Sequence, residues 1–244
     1  MRVLFLVVAA AIGLLLPVQA QPRAKAKSKA PVNRPAPKGP TPRAKDGKPD
    51  LSGVWAPNPG NFGDIGQPSL QPWAEKLYAE RRANLGKDDP ENLCLPSGVP
   101  RISSFPYKIV QSPKLIVMLF EGNIHSFRQF FLDGRGHPDD LDPMWFGHSS
   151  ANWEGDALVV DAVSFNDKTW LSAQGHPHSD ALHVIERYRR PDLGRLEIDI
   201  TLEDSKAFTK PHTFHRSHTL LDTWEIHEYV CSEFSADNVR PAGK

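Results

Sequence analysis

All ten histidines fall between His125 and His227. The densest stretch, residues 145–189, interleaves them with carboxylates, guanidinium groups and rings: Trp145-Phe146-Gly147-His148, Trp153-Glu154-Gly155-Asp156, Phe165-Asn166-Asp167-Lys168-Thr169-Trp170-Leu171, Gly175-His176-Pro177-His178-Ser179-Asp180 and Glu186-Arg187-Tyr188-Arg189. Histidine titrates near neutral pH and a carboxylate partner sets its tautomer, so a His/Asp pair in a dry cavity can move a proton at a carbon or oxygen centre. His148 and His178 are the candidates for that role, with Asp167 and Asp180 as the nearest orienting carboxylates. Arg187 would hold an anionic group or an enolate-like charge. Trp145, Trp170, Phe165, Arg135, His137 and Tyr188 are the candidate substrate contacts, because loop rings at a barrel mouth make an apolar or aromatic pocket. Core packing explains Phe165 about as well, since it flanks a strand, whereas Trp170 sits in a polar loop and is the better ligand contact.

Other chemistries fit less well. No cofactor is required by these residues. If a divalent metal is bound, His176-x-His178 with His183 offers the three-ligand set that catalytic zinc uses. His212, His215 and His218 would alternate across a strand, which suits solvent exposure better than chelation. No Gly-x-Ser-x-Gly elbow occurs, and no phosphate-binding or dinucleotide fingerprint is present.

Charge divides the chain. Residues 21–50 carry nine Lys/Arg against two Asp, and residues 51–244 carry 19 bases against 27 acids, a net charge of −8. That argues against nucleic-acid recognition by the body. Arg2, the apolar run Val3–Leu16 and the small-residue ending at Ala20 have the three parts of an export signal, which predicts residues 1–20 as a cleaved leader and a periplasmic or secreted location. Residues 21–49 are rich in proline and lack aromatic residues, which predicts a disordered basic linker able to touch the anionic cell envelope. Cys94 and Cys231 both lie in the exported part and read as one disulfide, with two buried thiols as the alternative.

From residue 50 onward the period-2 pattern dominates. Leu196, Ile198, Ile200 and Leu202 alternate with Glu197, Asp199, Thr201 and Glu203, the mark of a half-buried strand. Residues 181–189 pair with it as a hairpin, and further strands are predicted at 106–111, 115–121, 126–132, 157–163 and 224–231. One helix, residues 72–85, has Pro72 in its first turn and Gly86 at its end. Residues 134–145 and 166–179 read as loops, long enough to be functional. The expectation is a mainly β fold: a single lipocalin-like (calycin-type) antiparallel barrel over residues 50–236, with one N-terminal helix, long loops and a flexible tail at 237–244.

The start Asp50-Leu51-Ser52-Gly53-Val54-Trp55 carries the Gly-x-Trp that opens lipocalin-like barrels, in which the Trp closes the barrel floor. Together with Asp133-Gly134-Arg135-x-His137-Pro138, Gly147-His148-Ser149, Trp153-Glu154-Gly155-Asp156, Phe165-Asn166-Asp167-x-Thr169-Trp170-Leu171 and His178-Ser179, it resembles a family of exported, largely uncharacterised bacterial proteins. The resemblance covers roughly residues 50–235 and implies no catalytic residue. The function expected from the residues is cofactor-independent acid–base chemistry, of the lyase, isomerase or hydratase kind, on a small apolar or aromatic molecule. A non-catalytic carrier of a small hydrophobic ligand is the alternative, and an envelope-held structural protein a third.

Overall fold

A computed structural model describes residues 35–59, 63–122 and 124–231. The expected leader, the first part of the linker and the 237–244 tail lie outside the described residues. Nine strands form a closed barrel in sequence order: β1 Gly53–Pro57, β2 Tyr107–Gln111, β3 Leu115–Phe120, β4 Ser126–Phe131, β5 His148–Glu154, β6 Ala157–Val163, β7 His183–Asp192, β8 Arg195–Glu203 and β9 His212–Leu220. The mainly β barrel expected from the alternation, lipocalin-like on the resemblance of its Gly-x-Trp start, is therefore present. The helix α1 spans Pro72–Ala83 and lies between β1 and β2 in the chain. No helix among the described residues is long and apolar enough to cross a membrane.

Closure imposes a constraint that no single strand reveals. A ring with an odd number of strands cannot be antiparallel throughout, because strand direction must return to itself after one circuit. The parallel pair here is β4 with β5; β1 and β9 close the ring antiparallel. Parallel neighbours need a crossover rather than a tight turn, and residues 132–147 supply it. Only Phe130↔Ser149 and Phe131↔Ser150 are in register across this pair, against seven residue pairs between β5 and β6. β4/β5 is thus the shortest pairing of the ring, with the three residue pairs on each side of β1 next, and the expected 134–145 loop is the segment that crosses this seam.

Inward positions fill the barrel. Trp55, Tyr107, Ile116, Met118, Phe130, Leu158, Val160, Val184, Tyr188, Leu196, Ile198, Ile200 and Leu202 are buried in one contiguous core. Trp55 is fully buried, donates its indole N–H to the Leu51 carbonyl at 2.9 Å and lies beneath the Arg190 guanidinium at 4.9 Å. A cation over the indole face adds electrostatic attraction to the buried area.

Two expectations are corrected. Residues 35–49, expected to belong to a disordered linker, lie against the barrel: Leu193 N–H donates to the Gly39 carbonyl at 3.0 Å, Thr41 donates to the Arg190 carbonyl at 2.8 Å, and Arg43 grips Asp156 at 2.6 and 2.7 Å. Apolar side chains are indeed few here, but they are not what orders the stretch. This stretch is instead ordered through backbone and polar side-chain hydrogen bonds, and its prolines have little entropy left to lose. Residues 224–231 form no strand, because β9 already occupies the edge beside β1; they run as a strap, with Trp224 donating to Glu121 at 3.0 Å. The Cys94–Cys231 disulfide is formed, Cα–Cα 5.6 Å, and anchors the end of that strap rather than a last strand.

Candidate functional site

A groove of about 350 Å³ opens at the β4/β5 seam, lined by Phe127, Arg128, Gln129, Phe131, Met144, Trp145, Phe146, Gly147, His148 and Ser149. Its volume lies at the lower end of the range for small-molecule sites. The pleat decides its chemistry: Phe127, Phe131 and His148 stand on the outer face, whereas Arg128 and Ser149 point inward. Rings therefore form its walls and a guanidinium and a hydroxyl its floor. Phe131 stacks on His148 at 5.3 Å between centroids, and the Arg135 guanidinium lies over the Phe131 ring at 4.2 Å.

His148 heads a hydrogen-bonded chain across the outer face of four strands. Its Nδ1 lies 2.9 Å from Nδ1 of His137, and His137 Nε2 lies 3.2 Å from Asp161 Oδ1. The same carboxylate oxygen lies 2.8 Å from His183 Nε2, and His183 Nδ1 lies 3.1 Å from Glu203 Oε2. Protons can be assigned from partner chemistry. A carboxylate only accepts, so His137 carries hydrogen on Nε2 and, when neutral, offers a bare Nδ1. His148 then donates from Nδ1, leaving its Nε2 as the nitrogen able to accept a proton. Burial lowers the His148 pKa below the usual histidine value, and the neighbouring His137 and Arg135 push the same way. His148 is accordingly a neutral base at pH 7.

Of the expected site residues, Trp145, His148, Arg135 and His137 are brought together here. The others are not. His178 is buried on the other loop; its Nδ1–H donates to the Ser179 carbonyl at 2.9 Å and its Nε2 accepts from Thr169 at 2.7 Å, so both nitrogens are spent on structure. Asp167 is exposed, Asp180 pairs with Lys206 at 2.7 Å on the surface, and Arg187 pairs with Glu154 at 2.5 Å on the outer face. Trp170 is buried under Arg81 at 4.6 Å and Phe165 is core, so neither is an exposed ligand contact. Tyr188 faces the barrel interior. The conditional metal set does not converge. His176 bonds Ser172 at 2.6 Å and stacks on Tyr78, with its pKa lowered to about 4 chiefly by burial, while His183 belongs to the outer chain. No group of three metal-ligating side chains occurs among the described residues.

Sequence reasoning missed a second polar assembly, inside the barrel. Arg128 grips Glu186 with two hydrogen bonds, 3.1 and 2.7 Å, and Tyr188 donates to the same carboxylate at 3.0 Å; both ions are under 5% exposed. Arg216 and His218 are inward residues of β9 and fully buried. A signal existed: Glu186 shares the parity of Val184 and Tyr188, so the alternation that placed those residues inside placed the charge there too.

Gly147 sets how closely the crossover returns to the sheet. Its φ is +64°, and a Cβ there would lie 2.6 Å from the Val163 carbonyl oxygen and 2.8 Å from the Phe165 ring. Gly136 has a similar φ, +66°, with open space around it. Gly136→Ala should therefore cost about 1 kcal/mol from backbone conformation alone, and Gly147→Ala about 3 kcal/mol once the clash is added. Urea denaturation of both variants checks this; equal losses would mean that the close approach at Gly147 carries no energy. Comparison with protein-family models, with curated proteins and with solved structures finds no match to this chain.

Proposed function

We propose that the seam groove takes a small aromatic or otherwise apolar molecule and that His148, backed by His137 and Asp161, moves a proton on it without a cofactor. The class of reaction is that of a lyase, isomerase or hydratase. The observation that carries this reading is a ring-walled groove with, in its wall, a histidine whose tautomer is set by a second histidine and a carboxylate. When His148 accepts a proton at Nε2 it becomes an imidazolium whose Nδ1–H still points at His137. Asp161 stands behind His137 to stabilise positive charge that spreads along the chain, the role a carboxylate plays behind a catalytic imidazole. The expected leader and the Cys94–Cys231 bridge together support a periplasmic or secreted setting.

The test begins with native mass spectrometry of protein taken from its producing cells, to identify a co-purified molecule. That molecule is then followed by proton NMR in deuterium oxide with fresh protein. Wild type is expected to exchange a carbon-bound proton or convert the molecule, and His148→Ala to slow this by about 10²–10⁴-fold. The pH profile should fall on the acid side only below the ordinary histidine range, because the lowered pKa keeps His148 deprotonated to lower pH. A molecule held intact by wild type and His148→Ala alike would make the barrel a carrier and overturn the catalytic reading.

A further inference from the structure

Of the three inward guanidinium groups, Arg190 covers Trp55, while Arg128 and Arg216 share the single carboxylate described inside the barrel, Glu186, which is engaged in two hydrogen bonds with Arg128. Arg216, 1% exposed, donates only to neutral acceptors: the Pro100 carbonyl at 2.9 Å, the Ser103 hydroxyl at 2.7 Å and the Asp64 carbonyl at 3.4 Å. The Asp64 carboxylate is on an exposed residue and accepts from Gly66 N–H. No carboxylate among the described residues hydrogen-bonds Arg216: Glu186 acts on it through space but is spent on Arg128, and a buried cation is normally paired directly. Beside it, three fully buried polar atoms have no hydrogen-bond partner among the described residues: Arg216 Nε, Tyr107 Oη and His218 Nδ1. They belong together. His218 lies two residues from Arg216 on the inward face of β9, and the Tyr107 ring meets the His218 ring edge-on at 5.3 Å.

Their hydrogen-bond characters are complementary to one kind of ligand. Arg216 Nε is a donor, and Tyr107 Oη donates or accepts. His218 Nε2 lies 3.1 Å from the Ser103 carbonyl, which only accepts, so the hydrogen is on Nε2 and Nδ1 presents a lone pair. Burial keeps this ring neutral, lowering its pKa to about 3. Two donors around a positive charge, with one acceptor beside them, suit an anion that also carries an O–H. Chloride would satisfy the donors and leave His218 Nδ1 without a proton to accept.

We infer that Arg216, Tyr107 and His218 form an interior binding site for a small hydroxyl-bearing oxyanion, either free or as the acid group of a larger ligand: hydrogencarbonate or a short hydroxy acid has this chemistry. The site is distinct from the seam groove and does not depend on the proton-transfer reading.

Carbon-13 NMR titrations of the mature protein with labelled glycolate and hydrogencarbonate test it, with acetate as the probe that lacks the hydroxyl. Saturable binding in the millimolar range or tighter is expected, weaker for acetate, and at least tenfold weaker for glycolate in Tyr107→Phe, which keeps the ring and removes the orphaned hydroxyl. Arg216→Met should abolish binding; Tyr107→Phe keeps the test decisive if that variant fails to fold. A native mass spectrum of protein from its producing cells separates the sources, since a free oxyanion adds less than about 100 Da whereas an acid group on a larger ligand adds more. No saturable binding of either hydroxyl-bearing probe, affinity unchanged by Tyr107→Phe, or a high-resolution crystal structure grown with glycolate that shows only water at the three atoms would each overturn the proposal.

Discussion

Glu186→Gln is expected to lower the free energy of unfolding by about 3–5 kcal/mol, because removing one partner of a buried ion pair leaves the other charge desolvated. Gln keeps the shape of the side chain, so little of the loss comes from packing. What changes is charge. Arg128, 4% exposed, loses the carboxylate that accepts two of its hydrogen bonds, and Tyr188 loses its ionised acceptor. Arg216 also feels Glu186, whose charge opposes the lowering that burial imposes on its pKa. Arg128 and Arg216 would then have no buried carboxylate beside them. Arg128→Met combined with Glu186→Gln removes both charges and should recover most of the stability, as replacing a whole buried pair by apolar groups commonly does. Urea denaturation of the two single variants and the double variant measures the coupling. A double variant as unstable as the sum of the single ones would show that the pair contributes through packing rather than charge.

The second large effect lies at the disulfide. Cys94 and Cys231 are 137 residues apart, and on the chain-entropy model the closure of such a loop stabilises the fold by about 4–5 kcal/mol. Joint replacement of both cysteines by alanine should lower stability by up to that amount. The bridge also holds the strap, whose contacts include Trp224 and the His227 amide, both donating to Glu121, and the Tyr229 amide, donating to His125. Hydrogen exchange should therefore rise first at residues 224–231, while the amides of β7 and β8 stay protected. A loss below about 1 kcal/mol would mean that the closed loop does not restrict the unfolded chain as the entropic account requires. Early exchange in β7 would mean that the strap supports the barrel itself.

The Gly147 and His148 experiments bear on the same feature, the seam. Nine strands force a parallel pair, the parallel pair forces a crossover, and the crossover carries Trp145, Phe146 and Gly147 to the groove and His137 to the side of His148. Function and topology are linked at this point: the barrel is least completely paired where the rings and the hydrogen-bonded histidines meet. The loop at 166–182 carries as many polar and aromatic residues, but its side chains are turned to holding it in place. Thr169 bonds His178, Ser172 bonds His176 and Ser179 bonds Asp204 at 2.8 Å. Two loops of similar composition thus have different uses, and only their surroundings distinguish them.

What the amino-acid sequence determines alone is local. Leu196, Ile198, Ile200 and Leu202 specify a strand with one buried face wherever it is placed, since successive side chains point to opposite sides. Pro72 and Gly86 bracket a helix, and the chain's two cysteines have only each other to pair with. The same parity places Glu186 inside, between Val184 and Tyr188. Which groups become neighbours was decided only by tertiary structure. His148, His137, Asp161, His183 and Glu203 come from β5, the crossover, β6, β7 and β8, and they meet because strand register brings those positions to one end of the outer face. His178, with an equally suggestive sequence setting, was buried against Thr169. Register and closure are long-range properties of backbone pairing, and the partner and solvent exposure that decide what a histidine can do follow from them rather than from its neighbours in the chain.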